Sequence, residues 1–215
     1  MEYEYILFDL DGTLTNPKVG ITKSVAYALN HFGIIVSNLD ELEVFIGPPL
    51  RESFLTIYHF DETTAEEAVS KYREYFSVTG KFENEVYPGI PELLNELKKQ
   101  GKRLIVATSK PTEFSVQILE HFNLLSYFDF VAGSEMDGKR SHKDEVIRYA
   151  LEENKITDLS KVVMIGDRNF DIIGASKVGI DAVGVLYGFG DRIEHEEAKA
   201  TYIVETVEEL SKLFV

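Results

Sequence analysis

Asp9 and Asp11 stand two residues apart, directly after the apolar run Ile6-Leu7-Phe8, in the segment Asp9-Leu10-Asp11-Gly12-Thr13-Leu14-Thr15. In a continuing strand both would point to one face, while Gly12 signals a sharp turn of the chain. Neighbouring carboxylates repel unless a cation or a shared proton offsets them, so Mg²⁺ is a natural companion for the pair. Taken alone, the segment is equally compatible with a solvated Asp-rich turn.

Three further segments carry reactive or charged groups. Val106-Ala107 runs into Thr108-Ser109-Lys110-Pro111, which offers hydroxyls, a cation and backbone donors for phosphate oxygens at the following helix start. Ordinary capping of that helix is the alternative. Ser141 and Asp144 resemble a capping box, which places Lys143 in a first helical turn. The helix dipole disfavours a cation there, and a broken local rule points to function, although Lys139 and Arg140 also suit a solvated basic turn. Finally Val163-Met164-Ile165-Gly166 delivers Asp167, and Asp171 follows it at a helix start, where acidic residues are common. Together the four segments supply a nucleophile, metal ligands, counter-charges for phosphoryl oxygens and a proton donor, the requirements of phosphoryl transfer from a monoester.

These groups need a frame, and short apolar runs alternating with amphipathic stretches predict an α/β fold with a parallel sheet covered on both faces. Strands are expected over Tyr5–Leu10, Arg103–Thr108, Phe128–Ala132, Val162–Gly166, Ala182–Val185 and, more weakly, Tyr202–Val204. Helices are expected over Ile90–Gln100, Thr112–His121, His142–Glu153, Asn169–Lys177 and Val207–Phe214. Residues 17–81 break the rhythm with helical periodicity and no convincing buried strand, so they read as a helical insert within a core made of residues 1–16 and 82–215. Within the insert, Ile21–Phe32 and Thr64–Phe76 are the longer expected helices, with a turn forced by Gly47-Pro48-Pro49 between two shorter ones. In an open parallel sheet, ligands sit beyond the carboxyl ends of the strands, where Asp9, Thr108 and Asp167 fall.

Composition narrows the function classes. The 215 residues, 44% hydrophobic, can bury a sizeable core, and no stretch is apolar for the roughly 20 residues that span a bilayer. The start MEYEYILFDL lacks a basic segment before its apolar run, so the expectation is a cytoplasmic protein with no membrane partner. The absence of cysteine excludes disulfides, thiolate chemistry and Cys-ligated metals. A net charge of -15, from 37 acidic and 22 basic residues, opposes binding to nucleic-acid polymers. Gly184-Val185-Leu186-Tyr187-Gly188-Phe189-Gly190 lacks dinucleotide-loop spacing and reads as a loop near the site entrance. The five histidines show no metal-ligand spacing, and Tyr72, Tyr75 and Phe76 read as core of the insert.

Asp9-Leu10-Asp11-Gly12-Thr13, Thr108-Ser109, Lys143, and Gly166-Asp167 with Asp171 resemble, in order, the four motifs of the haloacid-dehalogenase-like hydrolases. The likeness spans the chain, and Gly47-Pro48-Pro49-Leu50-Arg51-Glu52-Ser53-Phe54 is similar to the cap loop of the phosphoglycolate-phosphatase-like branch, especially its 5′-nucleotidase-type members. The resemblance implies a Rossmann-like core with a helical cap inserted after the first strand, and phosphatase chemistry through an aspartyl-phosphate. By that likeness Asp9 is the nucleophile and Asp11 the acid and base. The Asp9 carboxylate, the Asp11 backbone carbonyl and Asp167 would hold Mg²⁺, with Asp171 orienting the metal's waters. Thr108 or Ser109, Thr13 and Lys143 would steady the transferring group, and Arg51 is the candidate for recognition of a small phosphorylated metabolite from the cap. Asp11 argues against dehalogenation, since true dehalogenases lack it. No motif around Lys23, Lys71 or Lys81 supports the Schiff base of phosphonate-cleaving relatives. A phosphotransferase or mutase acting on sugar phosphates stays open, as does a phosphate-binding module without turnover. Oligomeric state is not legible.

Overall fold

Ile6, Leu7 and Phe8 expose no surface in the computed structural model, which describes residues 3–214. Burying side chains of this size contributes ~1.5–3 kcal/mol each. A strand apolar on both faces belongs inside a sheet that is covered on both sides. This strand, β1 (Tyr5–Phe8), is followed by β2 (Thr15–Asn16), α1 (Lys18–His31), α2 (Leu50–Ile57), α3 (Glu62–Phe76) and β3 (Glu85–Val86). Next come α4 (Ile90–Lys99), β4 (Arg103–Pro111), α5 (Thr112–His121), β5 (Phe130–Ser134), α6 (Lys143–Glu153) and β6 (Val162–Gly166). The chain then forms α7 (Asn169–Val178), β7 (Asp181–Val185), α8 (Arg192–Glu197), β8 (Tyr202–Val204) and α9 (Val207–Lys212).

Among the described residues, six strands form one parallel sheet in the order β5-β4-β1-β6-β7-β8, as an α/β fold requires. The short β2 and β3 form a second, two-stranded sheet. The chain lays β4 and β5 on one side of β1 and then crosses over to build β6, β7 and β8 on the other. Strand order therefore reverses at the β1–β6 junction, and the crevice beyond the carboxyl ends there is the expected ligand position. Leu7, Ile105, Val146, Ile147, Met164 and Ile172 pack into one buried cluster beneath it.

Several boundaries differ from expectation, each for a local reason. β1 stops at Phe8 rather than Leu10 because the chain curls: Gly12 N–H donates to the Thr15 carbonyl at 2.7 Å, and Thr15 N–H to that of Leu10 at 3.0 Å. Gly12 adopts φ +82°, a left-handed value open to glycine at little cost. β4 runs on to Pro111, with its register against β5 slipping between Ala107 and Pro111. The expected Ser141–Asp144 box is displaced by one residue. His142 is the N-cap, and its N–H donates to the longer Glu145 side chain at 3.3 Å, while Asp144 turns to Lys177. Lys143 is thus the first residue of α6. The short, charged α8 was not expected.

The chain divides into two compact units, one comprising residues 1–16 and 86–215 and the other Pro17–Glu85. The second unit is helical and runs past the expected limit at Lys81. Its closing turn stays with α1, as Gly20 N–H donates to the Glu83 carbonyl at 2.9 Å and Lys23 pairs with the Glu83 carboxylate. Its interior is aromatic: Phe54 is fully buried, with Phe45 at 5.0 Å and Phe60 stacked at 6.0 Å. Tyr72 and Phe76 are also buried and stack at 5.1 Å, whereas the Tyr75 phenol donates to Glu83. Among the described residues, no helix is long and apolar enough to cross a membrane.

Candidate active site

The turn after β1 buries both leading aspartates, leaving Asp9 4% and Asp11 8% exposed. Leu10 N–H donates to Asp9 Oδ1 at 2.8 Å. Lys143 Nζ, on the first turn of α6, lies 2.9 Å from the same oxygen and 2.8 Å from Asp171 Oδ1, and donates to the Ala107 carbonyl at 3.1 Å. Lys143 sits at a helix start against the dipole because two buried carboxylates hold it there. Burial alone would lower its proton affinity, but Asp171 and Asp9 outweigh burial and keep the ammonium protonated above the ordinary lysine range. Gly174 lets α7 come this close, since a Cβ there would meet Lys143 Cβ at 2.8 Å.

Asp167 follows β6 and is fully buried, as is Asp171 on the first turn of α7. One carboxylate oxygen from each of Asp9, Asp167 and Asp171 falls within a 4.8 Å cluster. Asp167 Oδ2 accepts from Phe189 N–H at 2.8 Å, while its Oδ1 is buried with no hydrogen-bond partner among the described residues. Asp11 Oδ1 is in the same condition. Three clustered buried carboxylates, with unpartnered oxygens on Asp167 and on neighbouring Asp11, fit a hard, oxygen-seeking cation such as Mg²⁺. Two glycines make the grouping possible: a Cβ at Gly12 would collide with the Asp167 carboxylate, and one at Gly166 with that of Asp171.

The electrostatics agree with this fit. Burial, with Asp171 and Asp9 adding to it, pushes the Asp167 carboxyl well above the usual carboxylate range. Burial pushes Asp171 up to about 6, with Lys143 opposing and Asp9 reinforcing the shift. Both groups hold protons more tightly in the folded than in the unfolded chain. The Asp171 contribution to metal-free stability is therefore fully present below the ordinary carboxylate range and is lost as pH rises through about 6, and the Asp167 contribution has the same sign. A cation needs them ionised, so its stabilisation runs the opposite way. Mg²⁺ is expected to raise the unfolding temperature clearly near pH 7.5 and hardly at about pH 5, whereas carboxylates of ordinary pKa would keep most of the effect at the lower pH. Thermal unfolding with and without Mg²⁺ at both pH values checks this.

Asp11 has a partner that sequence reasoning did not assign. Lys110 Nζ lies 2.7 Å from Asp11 Oδ2, and both side chains are almost fully buried. Burial raises the Asp11 carboxyl, Lys110 pulls it back, and Asp9 adds to the rise, with the net shift upward. A carboxyl so placed is suited to both giving and taking a proton. The bulged end of β4 that carries Lys110 also presents buried Thr108, whose Oγ1 accepts from Lys110 N–H at 3.3 Å, and half-buried Ser109. Thr13 Oγ1 is buried with no hydrogen-bond partner among the described residues. Arg51 lies on α2 of the helical unit, where it pairs with Glu62 and, at 3.6 Å, with Glu66.

Sequence reasoning set the connection after β7 near the site entrance but missed that its Phe189 N–H reaches Asp167, and it missed Glu194 on α8. Glu194 accepts from Asn169 N–H at 2.7 Å and from Arg168 Nε at 3.0 Å, bracing the start of α7 beside Asp171. The available signal was Gly188-Phe189-Gly190, glycines placed where a backbone must approach closely.

Comparison with known proteins matches residues 6–185 to the family described as haloacid dehalogenase-like hydrolase. The chain is 49% identical over 202 residues to a 5′-nucleotidase of Pseudomonas aeruginosa, covering 94% of this chain and 91% of that protein. It is 38% identical to a tyrosine-protein kinase, PtkA, of Mycobacterium tuberculosis, over 96% of this chain and 71% of that protein. It is also similar to the crystal structure of a predicted phosphatase from Clostridium acetobutylicum, with TM-score 0.97, 54% identity and coverage of 100% and 99% of the two chains.

Proposed function

The chain belongs to the haloacid dehalogenase-like hydrolase family as one of its phosphatases, and from that premise we propose that it is a Mg²⁺-dependent phosphomonoesterase acting on nucleoside 5′-monophosphates or similarly small phosphorylated metabolites. The observation that carries this reading is the buried group in which Lys143 bridges Asp9 and Asp171 while Asp167 completes a carboxylate cluster. The relative named 5′-nucleotidase puts nucleoside 5′-monophosphates first, and the likeness of the Gly47–Phe54 segment to phosphoglycolate-phosphatase-like proteins adds phosphoglycolate as a second candidate.

Asp9 attacks phosphorus, the bond to the leaving oxygen breaks, and Asp11 gives that oxygen its proton. Asp11, now ionised and steadied by Lys110, takes a proton from water as it attacks the aspartyl-phosphate, so phosphate leaves and both aspartates regain their starting states. Lys143 neutralises Asp9 against an approaching dianion, and the hydroxyls of Thr108, Ser109 and Thr13 offer hydrogen bonds to phosphoryl oxygens. Asp9, Asp167 and the Asp11 backbone carbonyl would hold Mg²⁺, and Asp171 would fix Lys143 and the metal's waters; the cation supplies charge neutralisation at the phosphoryl oxygens. Residues 17–85 serve as a cap that selects the substrate, with Arg51 exchanging Glu62 and Glu66 for an anionic group of the ligand.

The test is phosphate release from AMP, GMP, UMP, phosphoglycolate and p-nitrophenyl phosphate. EDTA is expected to remove activity, Mg²⁺ to restore it and Ca²⁺ to inhibit, because longer and looser coordination spoils in-line alignment. Arg51→Ala is expected to raise KM for the favoured substrate while leaving kcat unchanged. Undiminished activity in chelator would end the metal reading. Hydrolysis of p-nitrophenyl phosphate alone, with none of the metabolites turned over, would end the substrate reading.

A further inference from the structure

The connection between β7 and α8 is short and glycine-rich, yet it touches both halves of the carboxylate site. Tyr187 Oη donates to the Thr13 carbonyl at 3.1 Å, in the turn that carries Asp9 and Asp11. Two residues later, Phe189 N–H donates to Asp167 Oδ2 at 2.8 Å. Between them, Gly188 lies so close that a Cβ would collide with both the Gly12 carbonyl oxygen and the Asp167 side chain. A Cβ at Gly190 would likewise strike the Asp167 carbonyl oxygen. Both ends of the segment are anchored. Leu186 N–H donates to the Val204 carbonyl at 2.9 Å, and Asp191 caps α8 by accepting from Glu194 N–H at 2.8 Å. The Tyr187 ring packs edge-on against Tyr87 at 5.0 Å, and Tyr87 N–H donates to the Leu14 carbonyl at 3.2 Å, so the contact is supported from a second direction.

The geometry points to Tyr187-Gly188-Phe189 as a positioning clamp that ties the Asp9–Thr13 turn to Asp167 and orients Asp167 so that Oδ1 alone faces the cation. A carboxylate free to rotate presents either oxygen and loses affinity each time it must be reoriented. One whose second oxygen is held by a backbone N–H is set before the cation arrives, and partners of this kind commonly govern metal affinity. Using a backbone donor has a further consequence: no substitution at position 189 other than proline removes it, so the clamp is best adjusted through Tyr187 and Gly188. Tyr187 and Phe189 bond to the Thr13 carbonyl and to Asp167 Oδ2, so their effect passes through Asp167 and the Thr13 turn. The inference rests on the proposed Mg²⁺ site.

Calorimetric titration of the intact protein with Mg²⁺, in wild type, Tyr187→Phe and Gly188→Ala, tests it. The expected result is affinity weakened about 10-fold in Tyr187→Phe and about 100-fold in Gly188→Ala, the range seen when such partners are lost. The kcat deficit at limiting Mg²⁺ should be recovered by raising Mg²⁺, with substrate KM at saturating Mg²⁺ unchanged. Tyr187→Phe removes one hydroxyl and keeps the ring packing, so it decides the matter alone if Gly188→Ala fails to fold. Unchanged Mg²⁺ affinity in folded Tyr187→Phe overturns the clamp. So does a kcat deficit that saturating Mg²⁺ leaves in place, since a merely structural disturbance lowers turnover at every metal concentration. Wild-type protein that binds no Mg²⁺ fails at the metal reading itself, and the clamp falls with it.

Discussion

Asp9→Asn is expected to abolish turnover, by at least about 10⁴-fold, since loss of a nucleophile from a covalent mechanism costs on this scale. The amide keeps the volume of the carboxylate but cannot form an acyl phosphate, and it removes a charge from the cation's ligand set. The fold should survive. Removing one partner of an isolated buried ion pair typically costs ~3–5 kcal/mol, but Lys143 keeps Asp171 at 2.8 Å and its bond to the Ala107 carbonyl. One negative charge also leaves a cluster in which three carboxylates repel. Metal-free Asp9→Asn should therefore unfold at or above the wild-type temperature, and Mg²⁺ should stabilise it far less. Differential scanning calorimetry with a phosphate-release assay reads both effects. Residual turnover close to wild type would remove Asp9 from the chemistry.

Asp11→Asn separates proton transfer from phosphoryl transfer. Its backbone carbonyl remains available to a cation, so Mg²⁺ affinity should be retained better than in Asp9→Asn. Alkyl phosphates should be hydrolysed about 10²- to 10⁴-fold more slowly, the usual scale for losing a general acid. An activated ester such as p-nitrophenyl phosphate scarcely needs leaving-group protonation, so Asp9 should still be phosphorylated quickly. Water then lacks its base, and mixing should give a burst of about one p-nitrophenol per active site followed by a slow steady rate. This variant should also be less stable than Asp9→Asn, because Lys110 loses its carboxylate partner at 2.7 Å in a nearly dry setting. Equal slowing of both ester types without a burst would make Asp11 structural, and stopped-flow absorbance distinguishes the cases.

The α/β sheet was legible because Ile6-Leu7-Phe8 and Val162–Gly166 are short unbroken apolar runs bounded by turn signals, the pattern of a parallel strand covered on both faces. The acidic and basic groups were legible because Asp9 and Asp167 follow those runs directly, and strand ends are where an open parallel sheet binds ligands. Lys110 was visible as a cation but not as the partner of Asp11, because its direction depends on the slip of β4 against β5, a property of two strands and not of one segment. The exchange of Ser141–Asp144 for His142–Glu145 is a choice between side chains one methylene apart, decided by the pull of Lys177 on Asp144. Helix α8 escaped notice since Arg-Ile-Glu-His-Glu-Glu shows no apolar periodicity; what it buries is His195, packed under Gly184, where a Cβ would meet the ring at 2.6 Å. Phe189 could not be assigned from side-chain chemistry at all, because its contribution is a backbone N–H. Arg51 looked exposed and available in sequence, yet two acidic residues one turn apart on the neighbouring helix already engage it.

The central claim is that the phosphoryl group passes through Asp9. Acid quenching of Asp11→Asn during turnover of p-nitrophenyl phosphate, followed by peptide mass mapping, tests it most directly, since acyl phosphates outlast a brief exposure to acid. The expected result is one added phosphoryl group on the peptide containing Asp9, approaching one per active site as the burst completes, and none in Asp9→Asn. Turnover without any phosphorylated peptide, or a phosphoryl group found on another residue, would contradict it.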